Sequence, residues 1–273
     1  MRLVKFSMDG QAIWGVSYDE NAIPVASDFG SLLNALPLNG RGVPLDGLTF
    51  LAPLPERPKI IGLGYNYKTH RKRNGKDKRM TIFLKPYSSV AGPFDDIPVP
   101  DFVKDVDYEG ELGIVMGKKG KFIERTDALN YIMGYCIVND LSARELQFGD
   151  YQWTRGKGLD SFAPVGPWIV SVDEIGDASN LRLRTWVNSR LKQDSETSEM
   201  ILDVPTIVSE ISYIMTLEPG DLIMTGTPAG SGYFSDPRSF LKDGDVVRVE
   251  IDGLGHIENR IRTFSTKSKP LTC

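Results

Sequence analysis

At 273 residues, 41% hydrophobic and 25% charged, the chain is long enough to bury a substantial core and too apolar to be disordered. Thirty-six acidic against 32 basic side chains give a formal net charge of -4, which argues against a general nucleic-acid or anionic-membrane binder. No window approaches the ~20 apolar residues of a membrane span and the opening MRLVKFSMDG lacks the apolar run of a secretory leader, so a soluble protein of the cytosol is expected.

Residues 1 to 27 alternate apolar and polar side chains about a central Asp9-Gly10, the pattern of a hairpin. SLLNAL, residues 31 to 36, predicts one short helix. LAPLPERPK, residues 51 to 59, carries three prolines, which suits an extended connection and marks a boundary. IIGLGYNY then reads as a buried strand running into a glycine-punctuated turn, and the basic KTHRKRNGKDKR as a loop or short helix. Downstream, TIFLKP, GELGIVMG, YCIVND, GPWIVSVDEI, RLRTWVN, DLIMTGTP and DVVRVEIDG have strand character. DALNYIMG, SARELQFG and VPTIVSEISYIM have helical spacing. The fold class is therefore mainly β, or α+β with a minor helical share. Cys136 lies in an apolar run and Cys273 is the last residue; such spacing makes neither a disulfide scaffold nor a zinc site, and both are expected as free thiols.

In DYEGELGIVMG two carboxylates head an apolar strand. Residues two apart on a strand share a face, so Glu109 and Glu111 stand side by side, while Gly110 leaves the opposite face bare. Such a pair is either a solvated strand end or, if buried, a site that needs a cation or a proton. The strand YCIVND also ends in a carboxylate, Asp140, which is equally placed to cap the helix LSARELQ. Three carboxylates at adjacent strand ends suit a hard divalent ion such as magnesium, manganese or calcium, whereas zinc prefers nitrogen or sulfur. Only two histidines are available as proton carriers near neutral pH: His256, which reads as a surface residue between strands, and His70, in the polar loop. Lys157 sits between two glycines that would let the backbone approach a ligand closely. TGTPAGSG is either a tight turn or a source of backbone amides, with the Thr227 hydroxyl, for a carboxylate. GxSxG, HExxH, Walker and strand-linked GxGxxG motifs are absent.

Six ordered motifs, IIGLGYNYKTH, TIFLKPYSSVAGP, DYEGELGIVMG, YCIVNDLSARELQ, GKGLDSFAPVGP and GDLIMTGTPAG, together resemble the fumarylacetoacetate hydrolase family over roughly residues 58 to 263. That family also includes acylpyruvate hydrolases, oxaloacetate decarboxylases and tautomerases, and dienedioate isomerases. The resemblance implies a distorted β-roll core over residues 56–273, a small N-terminal β domain over residues 1–55, and a homodimer. It implies magnesium or manganese, with calcium as a substitute, on Glu109, Glu111 and Asp140. His70 and Lys157 become catalytic residues, and Tyr65, Arg73, Gln147, Gly226 and Thr227 substrate contacts. The substrate is expected to be a small anionic 2-oxo or dioxo acid.

The leading expectation is a metal-dependent hydrolase cleaving a carbon-carbon bond in a 2,4-dioxo acid of aromatic catabolism, the metal drawing charge from carbon 3 into an enolate. In it His70 activates water and Lys157 stabilises the oxyanion. The alternatives are oxaloacetate-type decarboxylation or tautomerisation, or dienedioate isomerisation, at the same site, and an inactive metal-binding relative. One departure bears on the choice. Many relatives carry a glutamate three residues after the histidine, whereas here Arg73 stands there, and a neighbouring cation disfavours the imidazolium of His70. Tyr65 likewise replaces the arginine of some decarboxylating relatives. The basic run Arg71, Arg73 and Lys76 would suit a substrate with two acidic groups.

Overall fold

The computed structural model of the chain describes residues 1–33, 41–69 and 81–267. His70, Arg71, Arg73, Lys76 and Cys273 lie outside the described residues. A long mixed sheet runs through the molecule. Its order is Val43–Pro44, Asn21–Ala26, Gln11–Tyr18, Arg2–Met8, Ala163–Ser171, Ile132–Asn139, Gly110–Met116, Leu222–Met224, Ile60–Gly64 and Thr81–Lys85. The hairpin at Asp9-Gly10 forms as expected: both residues take left-handed backbone angles (φ 51° and 77°), and Met8 pairs with Gln11. Its first strand also bonds to the strand Ala163–Ser171, Arg2 opposite Val170 and Leu3 opposite Ile169, so the N-terminal strands continue the central sheet.

A second sheet of five strands, Arg190–Glu196, Arg182–Val187, Val246–Ile251, Gly255–Phe264 and Ile97–Pro100, packs over the head of the strand Gly110–Met116. Leu112, Ile114, Leu183, Val249 and Ile257 belong to one continuous core joining the two sheets. Every residue of Gly110–Met116 is buried, which is why beyond Glu111 it reads as a continuous apolar run rather than an alternation. The helix Val204–Ile214 begins as its sequence predicts, with Asp203 accepting the Thr206 amide, a proline in its first turn, and Ile207, Val208 and Ile211 buried. Among the described residues no helix is long and apolar enough to cross a membrane.

Several elements differ from the sequence expectation. DALNYIMG is not one helix: a 3₁₀ segment, Arg125–Tyr131, ends where the strand Ile132–Asn139 takes over, because Ile132 pairs with Met116. In GPWIVSVDEI the strand stops at Ser171 and VDEI turns as a single helical turn. The first helix is Phe29–Leu32, capped by Asp28, two residues earlier than expected. Arg190–Glu196 is an unanticipated strand: its polar sequence hides a single fully buried residue, Gln193, and its hairpin turn uses Asn188 and Ser189 in left-handed conformation instead of a glycine. His256 lies on the strand Gly255–Phe264, half-buried with its ring 5.7 Å from that of Phe94, and not on an open loop.

Candidate active site

The pairing of Gly110–Met116 with Ile132–Asn139 places Gly110 opposite Asn139. The Asp140 amide donates to the Glu109 carbonyl at 2.9 Å, and the Asn139 side chain accepts the Glu109 amide at 3.0 Å. That register carries Asp140 to the two glutamates. Glu109, Glu111 and Asp140 are all buried, and a ligand oxygen from each lies within 4.8 Å of the others. The solvated strand end is thereby excluded. So is the helix cap, since the helix Arg144–Phe148 has Ala143 at its N-cap without a side-chain bond.

Among the described residues three buried cations surround the cluster. The Lys157 ammonium donates to Glu109 at 2.6 Å and also to Asp140. Lys85, wholly buried, donates to Asp140, to the Leu141 carbonyl at 3.1 Å and to the Phe162 carbonyl at 2.6 Å, which uses all three of its protons. Arg144 donates to Asp107, to Glu109 and, at 2.8 Å, to Gln147. Burial alone would lower the pKa of Lys157, but the carboxylates of Asp140 and Glu109 outweigh it and the net shift is upward, so the ammonium keeps its proton. For Lys85 burial wins over Asp140 and the shift is downward. Lys85 and Arg144 carried no signal beyond lying in motifs; only the fold shows that they face the carboxylates.

Among the described residues no ammonium or guanidinium makes an ion pair with Glu111. Its Oε2 accepts the Gly226 amide at 2.7 Å, and burial, followed by the charges of Asp140 and Glu109, holds its carboxyl well above the ordinary range. Three hard oxygen donors, one of them without a cationic partner, form a donor set that fits a divalent cation of the magnesium or manganese type.

The pocket above this cluster is lined by Leu63, Tyr65, Gln147, Trp153, Lys157 and Thr227, among others. Tyr65 takes a left-handed backbone (φ 66°) and sets its ring edge-on to Trp153 at 5.7 Å. Gln147 reaches the pocket but gives its oxygen to Arg144. The glycine-rich segments are held by contacts within the protein. The Gly226 amide donates to Glu111, and the Thr227 hydroxyl, which lines the pocket, donates to the Gly110 carbonyl at 2.9 Å. Gly156, in the helix Thr154–Lys157, serves packing and not ligand approach, since a Cβ there would meet the Gln147 Cβ and amide nitrogen at 2.5 Å. Gly226 itself needs its freedom, at φ 94°.

A mainly β roll with three clustered carboxylates and a buried lysine at the floor of its pocket defines a recognisable class of protein. Residues 59–262 match the family description "Fumarylacetoacetate (FAA) hydrolase C-terminal", and the chain belongs to the fumarylacetoacetate hydrolase family. Residues 1–53 match a second description, "Rv2993c-like, N-terminal". The chain is 41% identical over 245 residues to the mitochondrial oxaloacetate tautomerase Fahd2a of Rattus norvegicus, covering 89% of this chain and 76% of the relative. Among solved structures it is similar to a 2-hydroxyhepta-2,4-diene-1,7-dioate isomerase from Mycobacterium marinum, with 38% identity, a TM-score of 0.84 and coverage of 98% and 100%. It is also similar to a fumarylacetoacetate hydrolase from the psychrophile Exiguobacterium antarcticum, with 37% identity, a TM-score of 0.88 and coverage of 97% and 100%.

Proposed function

We propose that the protein is a divalent-cation-dependent tautomerase or isomerase of a small 2-oxo dicarboxylic acid of the oxaloacetate type, in preference to a hydrolase of acylpyruvates. The relatives named oxaloacetate tautomerase and dienedioate isomerase favour this reading over hydrolysis, and the observation in the site that carries it is the Lys157 ammonium. It lines the pocket, and among the described residues its hydrogen bonds to Glu109 and Asp140 use two of its three protons, with the Phe83 ring 5.1 Å away, whereas Lys85 uses all three. Interconversion of keto and enol forms takes a proton from one of carbon 3 and the 2-oxygen and returns one to the other, so it needs a proton carrier and positive charge where oxygen becomes anionic, but no attacking water. A divalent cation on Glu109, Glu111 and Asp140 would supply Lewis acidity toward the substrate's oxygens.

The rest follows from this chain's own groups. Lys157 faces developing negative charge with a preformed ammonium, in surroundings where burial strengthens the interaction. Arg144 anchors Glu109, and Gln147 fixes the remaining edge of Arg144. Tyr65 and Trp153 form an aromatic wall that suits a planar, conjugated acid. Hydrolysis would in addition require a water-activating base, the role the resemblance gives to His70, three residues after which the sequence has Arg73 where many relatives carry a glutamate. The names of the rat and mycobacterial relatives support a proton-transfer reaction. A homodimer in the cytosol belongs to the same proposal.

The test follows oxaloacetate and an acylpyruvate in parallel, by loss of enol absorbance and by product analysis, with manganese or with chelator. Accelerated ketonisation of oxaloacetate that stops in chelator, without pyruvate, is the expected result. Pyruvate plus a carboxylic acid from the acylpyruvate would overturn it in favour of the hydrolase.

A further inference from the structure

Gln193 is fully buried, and nothing in its polar strand Arg190–Glu196 marks it for a role. Its side chain crosses from the five-stranded sheet to the carboxylate cluster. Oε1 accepts the backbone amide of Gly110 at 3.0 Å, while Nε2 donates to the Thr227 hydroxyl at 2.8 Å and to the Pro228 carbonyl at 3.0 Å. The orientation of the amide is decided by its partners, because a backbone N–H only donates and a carbonyl only accepts. A further bond, from the Thr227 hydroxyl to the Gly110 carbonyl at 2.9 Å, closes a ring through Gly110, Gln193 and Thr227. Gly110 stands between Glu109 and Glu111, and Gly226, next to Thr227, donates to Glu111.

We propose that Gln193 is a positioning residue for the divalent cation, setting Glu109 and Glu111 against the segment Gly226 to Thr227. The inference rests on the metal-dependent reading above and extends it to a strand with no residue among those that line the pocket. The ring has a single satisfied arrangement, in which both amide protons, the amide oxygen and the hydroxyl proton are all used. Gln193→Glu keeps the volume but removes both donors. Pro228 then loses its partner, and the Thr227 hydroxyl turns its proton toward the new carboxylate and away from Gly110. The Gly110 carbonyl loses its donor between the two glutamates, while its amide still has an oxygen to bond.

Manganese binding to the full chain, followed by the electron paramagnetic resonance of free Mn²⁺, tests this without substrate, with circular dichroism and Tm reporting the fold. Gln193→Glu is expected to raise the Mn²⁺ Kd about 10- to 100-fold in a folded protein, the size of effect that partners of metal ligands exert. Thr227→Val should show the same loss and Thr227→Ser none, and the Gln193→Glu/Thr227→Val double variant should bind no more weakly than either single variant, because both break one ring. The Thr227→Val and Thr227→Ser comparison carries the test if Gln193→Glu folds poorly. Unchanged Mn²⁺ affinity in these variants with only a lowered Tm, or losses that add, would overturn the inference alone. A wild type that binds no Mn²⁺ would overturn the metal-dependent reading and this inference with it.

Discussion

A Cβ placed on Gly110 would lie 2.3 Å from the Thr185 Oγ1 and 3.0 Å from a Val249 methyl. The face that the sequence leaves bare between two glutamates is where the second sheet closes on the first. Gly110→Ala is therefore expected to destabilise the protein by about 1–3 kcal/mol through overpacking. Adding Thr185→Ala, which removes the offending oxygen, should recover most of it. Urea unfolding of the single and double variants measures both values, and a harmless Gly110→Ala would contradict the contact.

Lys85 and Lys157 share Asp140 but should respond differently to loss of charge. Lys157→Met is expected to lower the tautomerisation kcat by roughly 10²–10³-fold, the cost of removing one preformed donor from a developing anion. Its Tm should fall in chelator and recover with manganese, since a bound cation replaces the lost charge. Lys85→Met, which also strands two backbone carbonyls, should cost about 3–5 kcal/mol of stability. Thermal melts with and without manganese, beside steady-state kinetics, separate the two roles.

Asp107, wholly buried, accepts the amides of Tyr108, Gly232 and Tyr233 as well as the Arg144 guanidinium. Asp107→Asn turns an amide group toward donors and leaves Arg144 with one carboxylate fewer. A loss of about 3–5 kcal/mol in denaturant unfolding is expected. Wild-type stability in that variant would show that Glu109 and Gln147 suffice to secure Arg144.

Burial in an apolar strand pushes the Cys136 thiol far above its ordinary value. A raised folded-state pKa makes its contribution to stability complete below the unfolded value, about 8.5, and progressively lost above it, as the unfolded chain releases a proton that the native one keeps. Cys136→Ala in a Cys273→Ser background should flatten the fall in stability between pH 8.5 and 10 (roughly, by that reference value). The native Cys273→Ser protein should also leave an aromatic disulfide reagent unreacted until it unfolds.

The sequence by itself determined the class of structure and the acidic heart of the site. Period-two spacing put Glu109 and Glu111 on one face, a second apolar strand ended in Asp140, and the ordered motifs pointed to the right family, because these signals are local and short in range. What only the tertiary structure decided depends on contacts between residues far apart in the chain. Gly110 and Thr185 meet across two sheets, Lys85 and Arg144 arrive from separate elements to balance Asp140 and Glu109, and the glycine beside Lys157 makes room for a helix rather than a ligand. Gln193 shows the reason most plainly. A single buried amide in an otherwise polar strand has no periodicity to reveal it, and its role exists only once the fold has brought Gly110 and Thr227 within reach of its three hydrogen bonds.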